Sequence, residues 1–156
     1  MTSDELKLRT KKFSLRVIKL IKHLPDNKFS YVIGKQLLRS ATSIGANYRA
    51  ACRSRSKAEF ISKIRIVEEE ADESVYWIEL VKESELFNEN RLIELLKEAM
   101  ELTAIFTAIG KTSKQNLKNS GAKSNSKSEI PNPKFESNSK SEIPNSKFKR
   151  NSKLKK

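Results

Sequence analysis

One cysteine and one histidine, Cys52 and His23, occur in the 156 residues of the chain. A lone thiol closes no intrachain disulfide, so an oxidising compartment adds nothing here, and a reducing cytoplasm is the expected location. Cys52 sits among Ala50, Ala51 and Arg53 with no evident base partner, which reads as an inert thiol rather than a nucleophile. His23 falls near the end of the first expected helix, where an imidazole meets terminal carbonyls more readily than a substrate. The acidic run Glu68, Glu69, Glu70, Asp72 and Glu73 lacks the Glu-x-x-His pairs with which di-iron bundles hold metal. No glycine-rich phosphate loop occurs either. These absences leave no catalytic, cofactor or metal site to name, and the chain is expected not to be an enzyme.

Glycine and proline are also scarce, at four each, while leucine, lysine, glutamate, alanine and isoleucine are abundant. That balance favours helices over a turn-rich β protein. No stretch approaches the roughly 18 consecutive apolar residues of a membrane span, and the charged segment Met1 to Lys12 lacks an apolar signal core. The chain is expected to be soluble, unprocessed and without a membrane partner. Its length suits one domain.

What is present is helical periodicity. The first helix is expected from about Asp4 to Leu24, opened by a capping box with Thr2 as cap and Glu5 three residues on, and closed before Pro25. Its apolar stripe is Leu6, Phe13, Val17, Leu20, Ile21 and Leu24. After a loop from Pro25 to Ser30, a second helix spans roughly Tyr31 to Arg53, with Ile33, Leu37, Ala41, Ile44, Tyr48 and Ala51 inward. A second capping box, Ser56 with Glu59, opens the third, which runs to about Glu85 with Phe60, Ile64, Val67, Ala71, Ile78 and Val81 as its stripe. Asn88 or Asn90 can cap the fourth, which carries Leu92, Leu95, Leu96, Ala99, Met100 and Phe106 and closes at Gly110 as a left-handed C′ residue. Short connections favour antiparallel neighbours, so the fold class is all-α: an antiparallel up-down-up-down four-helix bundle over residues 1–112.

Beyond the bundle the composition shifts to Ser, Asn, Lys and Pro, with a repeat of 13-residue period whose copies run from Asn125 to Phe135 and from Asn138 to Phe148. Each copy offers only an Ile and a Phe to bury, too little to stack, so residues 113–156 read as a disordered basic tail. It is either a flexible polycation that strengthens non-specific binding to RNA or DNA, or a tolerated expansion with no selected role.

The formal charge of +13 is unevenly spread. Residues 1–110 hold 19 Lys+Arg against 16 Asp+Glu, a net +3, whereas residues 111–156 hold 13 against 3, a net +10. Within the bundle, Lys35, Arg39, Thr42, Ala46, Arg49 and Arg53 follow helical steps and form a ridge about 27 Å long. Past it, Arg55, Lys57, Lys63 and Arg65 leave the segment 49–65 with six positive charges against Glu59 alone. The ridge's middle can pair with the Glu68, Asp72, Glu79 and Glu83 side of the third helix; the corner lacks local acids and suits phosphates. The candidate nucleic-acid-binding residues are therefore Lys35, Arg39, Arg49, Arg53, Arg55, Lys57, Lys63 and Arg65.

Leu8, Leu15 and Ile18 on the first helix and Ile66, Trp77 and Leu80 on the third fall outside the core stripes. Such patches mark contacts, and these six are the expected interface of a homo-oligomer, the alternative being burial within an irregular bundle. Residues 1–48 carry +7 and residues 66–101 carry −9, so the domain is electrically two-sided and suited to head-to-tail association.

The segment Gln36 to Asn47, followed by Arg55-Ser56-Lys57-Ala58-Glu59-Phe60, resembles the bacterial four-helix bundle family of 23S rRNA intervening sequence proteins, also labelled S23 ribosomal proteins. The run Val67 to Ser74, with Tyr76-Trp77-Ile78-Glu79-Leu80, is similar to one of its subgroups. The likeness covers about residues 5–112. It departs at Asn47-Tyr48-Arg49-Ala50-Ala51, where many members read Asn-Ile-Ala-Glu-Gly, and in the repetitive tail. The resemblance implies a bundle that assembles into a ring, commonly a pentamer, with Gln36, Arg39, Ser43 and Asn47 at recurrent polar positions. Relatives include a basic pentamer that binds nucleic acid and works with a reverse transcriptase, which makes such an enzyme or another protein a further expected partner. Together these readings favour a homo-oligomeric nucleic-acid-binding protein, for RNA ahead of DNA, directed at the backbone with weak sequence preference. The alternative is an oligomeric protein-interaction scaffold with no nucleic-acid role.

Overall fold

A computed structural model describes residues 1–87 and 89–124, with backbone alone for 89–91 and 120–124. Four helices follow one another: α1 (Ser3–Ile21), α2 (Lys28–Ala51), α3 (Lys57–Glu83) and α4 (Glu89–Ser124). Each packs on its sequence neighbour and α4 returns to α1, so the chain closes an antiparallel four-helix bundle. Among the described residues no helix is long and apolar enough to cross a membrane.

The helix starts are chemical. Thr2 accepts from the Glu5 amide at 3.2 Å while Glu5 accepts from the Thr2 amide at 2.7 Å, a reciprocal capping box. Asn27 caps α2 by accepting from the Ser30 amide at 2.9 Å, which starts that helix three residues before the expected Tyr31. Ser56 caps α3. The Glu59 carboxylate reaches past the cap to the Arg55 amide at 2.9 Å. α4 starts at Glu89, which puts Asn90 inside its first turn; Asn88 lies outside the described residues.

The core is the expected set of stripes, with two changes on α4. Met100 is 54% exposed and Leu102 fully buried in its place. Stepping 100° per residue from the direction shared by Leu92, Leu95, Ala99 and Phe106 carries Met100 about a third of a turn off, and Leu102 back onto it. The helix also does not stop at Gly110. Among the described residues no glycine has positive φ, and a Cβ on Gly110 would lie 3.6 Å from Ile64 Cγ2 and 3.7 Å from a Glu68 oxygen. Both are ordinary van der Waals distances, so Gly110 sits mid-helix facing α3 where a small side chain would also fit, and α4 continues through Ser124, taking in residues 113–124 of the expected tail. Residues 125–156, with both copies of the repeat, lie outside the described residues.

Polar groups set the register between helices. The Ser74 hydroxyl lies 2.9 Å from that of buried Ser40, across α2 and α3, and the Ser14 hydroxyl donates to the Ala41 carbonyl at 2.8 Å across α1 and α2. At the α1–α4 seam Arg9 holds Glu98 in a forked pair at 2.7 and 3.0 Å and also engages Glu101. The two carboxylates raise the Arg9 guanidinium above its ordinary value, the hydrogen bond to Glu98 foremost.

Candidate nucleic-acid interface at the α2–α3 corner

The ridge and the corner have different surroundings. In the middle of α2, Arg39 donates to Glu70 at 3.1 Å and to Glu73, both on α3. The pairing anticipated for this ridge thus occurs, but through other carboxylates. Helical geometry explains it: Glu70 and Glu73 lie on the α3 flank that faces α2, whereas Glu68 lies on the opposite flank and accepts from the Thr107 hydroxyl of α4 at 2.6 Å. One guanidinium acts on unlike neighbours. Glu73 is held below the ordinary carboxylate range, chiefly by its hydrogen bond from Arg39 and further by Trp77, whose indole donates at 3.1 Å. Glu70, with a side chain only 15% exposed, is pushed up by desolvation despite the same arginine.

Arg49 is also engaged. Its guanidinium donates to the Gly45 carbonyl at 3.0 Å and to the Lys7 carbonyl of α1 at 3.2 Å. Gly45 makes room for this: a Cβ there would lie 3.2 Å from Arg49 Nη1 and 3.4 Å from the Thr10 hydroxyl. Lys35, at the other end of the ridge, is exposed.

At the corner the connection between α2 and α3 is tight. Cys52 caps α2, the Arg53 amide reaches the Ala50 carbonyl and the Ser54 amide the Ala51 carbonyl, each at 3.0 Å. Arg53, Arg55 and Lys57 are exposed and Lys63 is half-buried. Among the described residues the side chains of Arg53, Arg55 and Lys63 form no ion pair. Arg65 meets Glu69 one turn on at 3.0 Å, but with side chains 73% and 62% exposed this pair is water-screened and readily exchanged for a phosphate. Glu59, the single acid nearby, has its carboxylate on the Arg55 backbone amide. The Ser54 hydroxyl is buried there without a partner. Cys52 is half-buried beside Tyr48, whose hydroxyl is pushed up to about 12 by burial and by this neighbour.

The expected interface residues divide. Leu8 and Leu15 remain 52% and 48% exposed, whereas Ile18, Ile66, Trp77 and Leu80 are half-buried, Trp77 against the core. Exposed Phe29, Tyr31, Val32, Tyr76 and Ile93 were not singled out by periodicity, because each stands on the polar face of its helix. Of the recurrent polar positions, Gln36 accepts from Arg39 at 3.4 Å and the Asn47 amide donates to the Ser43 carbonyl at 3.0 Å.

With this geometry in hand, the chain can be set beside known proteins. The model of the 23S rRNA-intervening sequence protein family matches residues 5–108. The chain belongs to that family. A solved structure of unknown function from the S23 ribosomal protein family of Bacteroides thetaiotaomicron VPI-5482 is similar to it, with 35% identity and a TM-score of 0.63, covering 67% of this chain and 97% of that one. No curated protein matches. In this member of the 23S rRNA-intervening sequence family, the matched region ends at residue 108, well inside α4, and takes in the whole α2–α3 corner.

Proposed function

We propose that this chain is a non-enzymatic, cytoplasmic, homo-oligomeric protein, pentamer-like as the family resemblance implies, that binds RNA through its phosphate backbone with weak sequence preference. One observation carries the reading: Arg53 and Arg55 in the tight turn and Lys63 in the second turn of α3 form no ion pair among the described residues, while Arg39 and Arg49 in the ridge are already engaged. Cations left unneutralised where every local acid has another bond are what a polyanion needs. Exposed Leu8 and Leu15 support assembly, because they stand seven residues apart on one side of α1 and leave an apolar strip in water that favours a partner surface. The basic tail adds a sequence-independent contribution.

The test is a salt titration of RNA binding by the full chain and by the Arg53→Ala/Arg55→Ala/Lys63→Ala variant. Each lost phosphate contact flattens the plot of log affinity against log salt by about 0.7 for a single strand, so the slope falls by about 2. Affinity drops alike for unrelated sequences. An unchanged slope rejects the corner, and repeating the titration on residues 1–124 removes the tail's share. Light scattering that returned the single-chain mass of 17.8 kDa at micromolar concentration would reject the oligomer.

A further inference from the structure

The opposite end of the bundle holds a second arrangement of cations with a different character. A cleft of about 470 Å³ opens between the last turns of α1 and the start of α4, lined by Arg16, Lys19, Leu20, His23, Phe87, Glu94 and Leu95. α2 runs the length of the bundle between this end and the α2–α3 corner, about 36 Å for its 24 residues. No residue is shared between the two sites.

The cleft's walls are chemically distinct. Arg16 and Lys19 fall three residues apart on one face of α1, and His23 follows in the turn just past its cap. Among the described residues the Arg16 and Lys19 side chains have no ion-pair or hydrogen-bond partner. His23 Nδ1 lies 2.6 Å from the Lys19 carbonyl; a carbonyl can only accept, so this nitrogen donates. The floor is apolar, with Leu20 and Leu95 buried and Phe87 half-buried. Phe87 meets the His23 ring edge-on, with centroids 6.5 Å apart. Among the described residues Glu94 supplies an acceptor from the α4 side.

We propose that this cleft binds a nucleoside monophosphate group, either as a free nucleotide or as the phosphorylated end of an RNA strand. The phosphate dianion takes the Arg16 fork and the Lys19 ammonium, the base lies against Phe87, and a ribose hydroxyl or exocyclic amine donates to Glu94. Competing ligands use less of the site. Inorganic phosphate leaves Phe87 and Glu94 idle, and a peptide of Asp and Glu residues has no ring for Phe87 and no donor side chain for Glu94. The volume lies in the range of small-ligand sites, about 300–1,000 Å³.

The test is calorimetric titration of the full chain with AMP, adenosine and inorganic phosphate as separate probes. AMP binds, and the other two bind about tenfold or more weakly, since each forfeits one half of the recognition. Arg16→Gln/Lys19→Gln weakens AMP by about tenfold with an unchanged thermal melt, because both side chains are exposed, and Phe87→Leu weakens it by about fivefold through lost stacking. The Arg53→Ala/Arg55→Ala/Lys63→Ala variant keeps full AMP affinity even if the corner fails as an RNA site, so the two readings stand or fall separately. In that background, tighter binding of 5′-phosphorylated than 5′-hydroxyl RNA assigns the site to strand ends, and equal binding assigns it to free nucleotides. No AMP binding at millimolar concentration, AMP affinity indifferent to Arg16→Gln/Lys19→Gln, or AMP affinity lost with the corner residues overturns the proposal.

Discussion

Arg49 leaves α2 and sets its guanidinium 3.2 Å from the Lys7 carbonyl on α1, while also donating to Gly45 in its own helix. An arginine on a basic ridge is thereby turned into a tie between two helices. Its charge is spread over carbonyl dipoles, and its reach is used up before any ligand arrives.

Arg49→Met keeps the apolar stem and removes both charge-assisted bonds. The helix carbonyls keep their own backbone donors, so no buried group is orphaned, and the expected cost is about 1–2 kcal/mol of unfolding free energy. Chemical denaturation measures it. The salt slope of RNA binding stays at its wild-type value, which separates Arg49 from Arg53 and Arg55. A flattened slope with unaltered stability would return Arg49 to the binding face.

Periodicity made most of the bundle legible, because burial of Leu37, Ala41, Ile44, Val67, Ala71 and Ile78 follows one stripe per helix and a stripe is a property of a single segment. The caps at Thr2 and Ser56 were equally local. What could not be read depends on which helix stands beside which. Arg39 chooses Glu70 and Glu73 over the other acids of α3 because only those two face α2. Gly110 reads as a helix end in sequence, yet α4 runs on through it with ordinary helical backbone. The cleft at Arg16 and Phe87 joins residues 71 positions apart, with no sequence signature linking them.

Glu85 carries the single positive φ among the described non-glycine residues, 56°. It follows the α3 cap Ser84, where helices turn left-handed before leaving, a position that glycine fills without strain. The left-handed backbone costs a side-chain-bearing residue about 1–2 kcal/mol, and glycine returns about 0.4–1 kcal/mol by loosening the unfolded chain. Glu85→Gly therefore raises stability by about 0.5 kcal/mol, seen as a small rise in the thermal midpoint. A fall in the midpoint would mean that the Glu85 side chain contributes more than its backbone strain removes.

The Arg39 cluster predicts opposite acid responses from two carboxylates that share one partner. Glu73, held low, binds its proton less tightly folded than unfolded. Its contribution is complete above the ordinary glutamate value of about 4.3 and disappears as pH falls through its depressed native value. Glu70, held high, binds its proton more tightly folded. Its burial costs stability at neutral pH, and that cost is relieved as pH falls through its raised native value. Glu73→Gln should thus lose up to about 1 kcal/mol at pH 7, in keeping with a partly exposed, solvent-screened pair, and converge on wild type in acid. Glu70→Gln should gain slightly at pH 7, because the desolvated charge is gone, and lose that advantage on acidification as wild type takes up the proton that relieves its native state. Urea midpoints of the three proteins from pH 7 down to about pH 3 decide the matter. Parallel curves for the two variants would mean that burial does not separate Glu70 from Glu73, and that Arg39 acts on both as one ion pair.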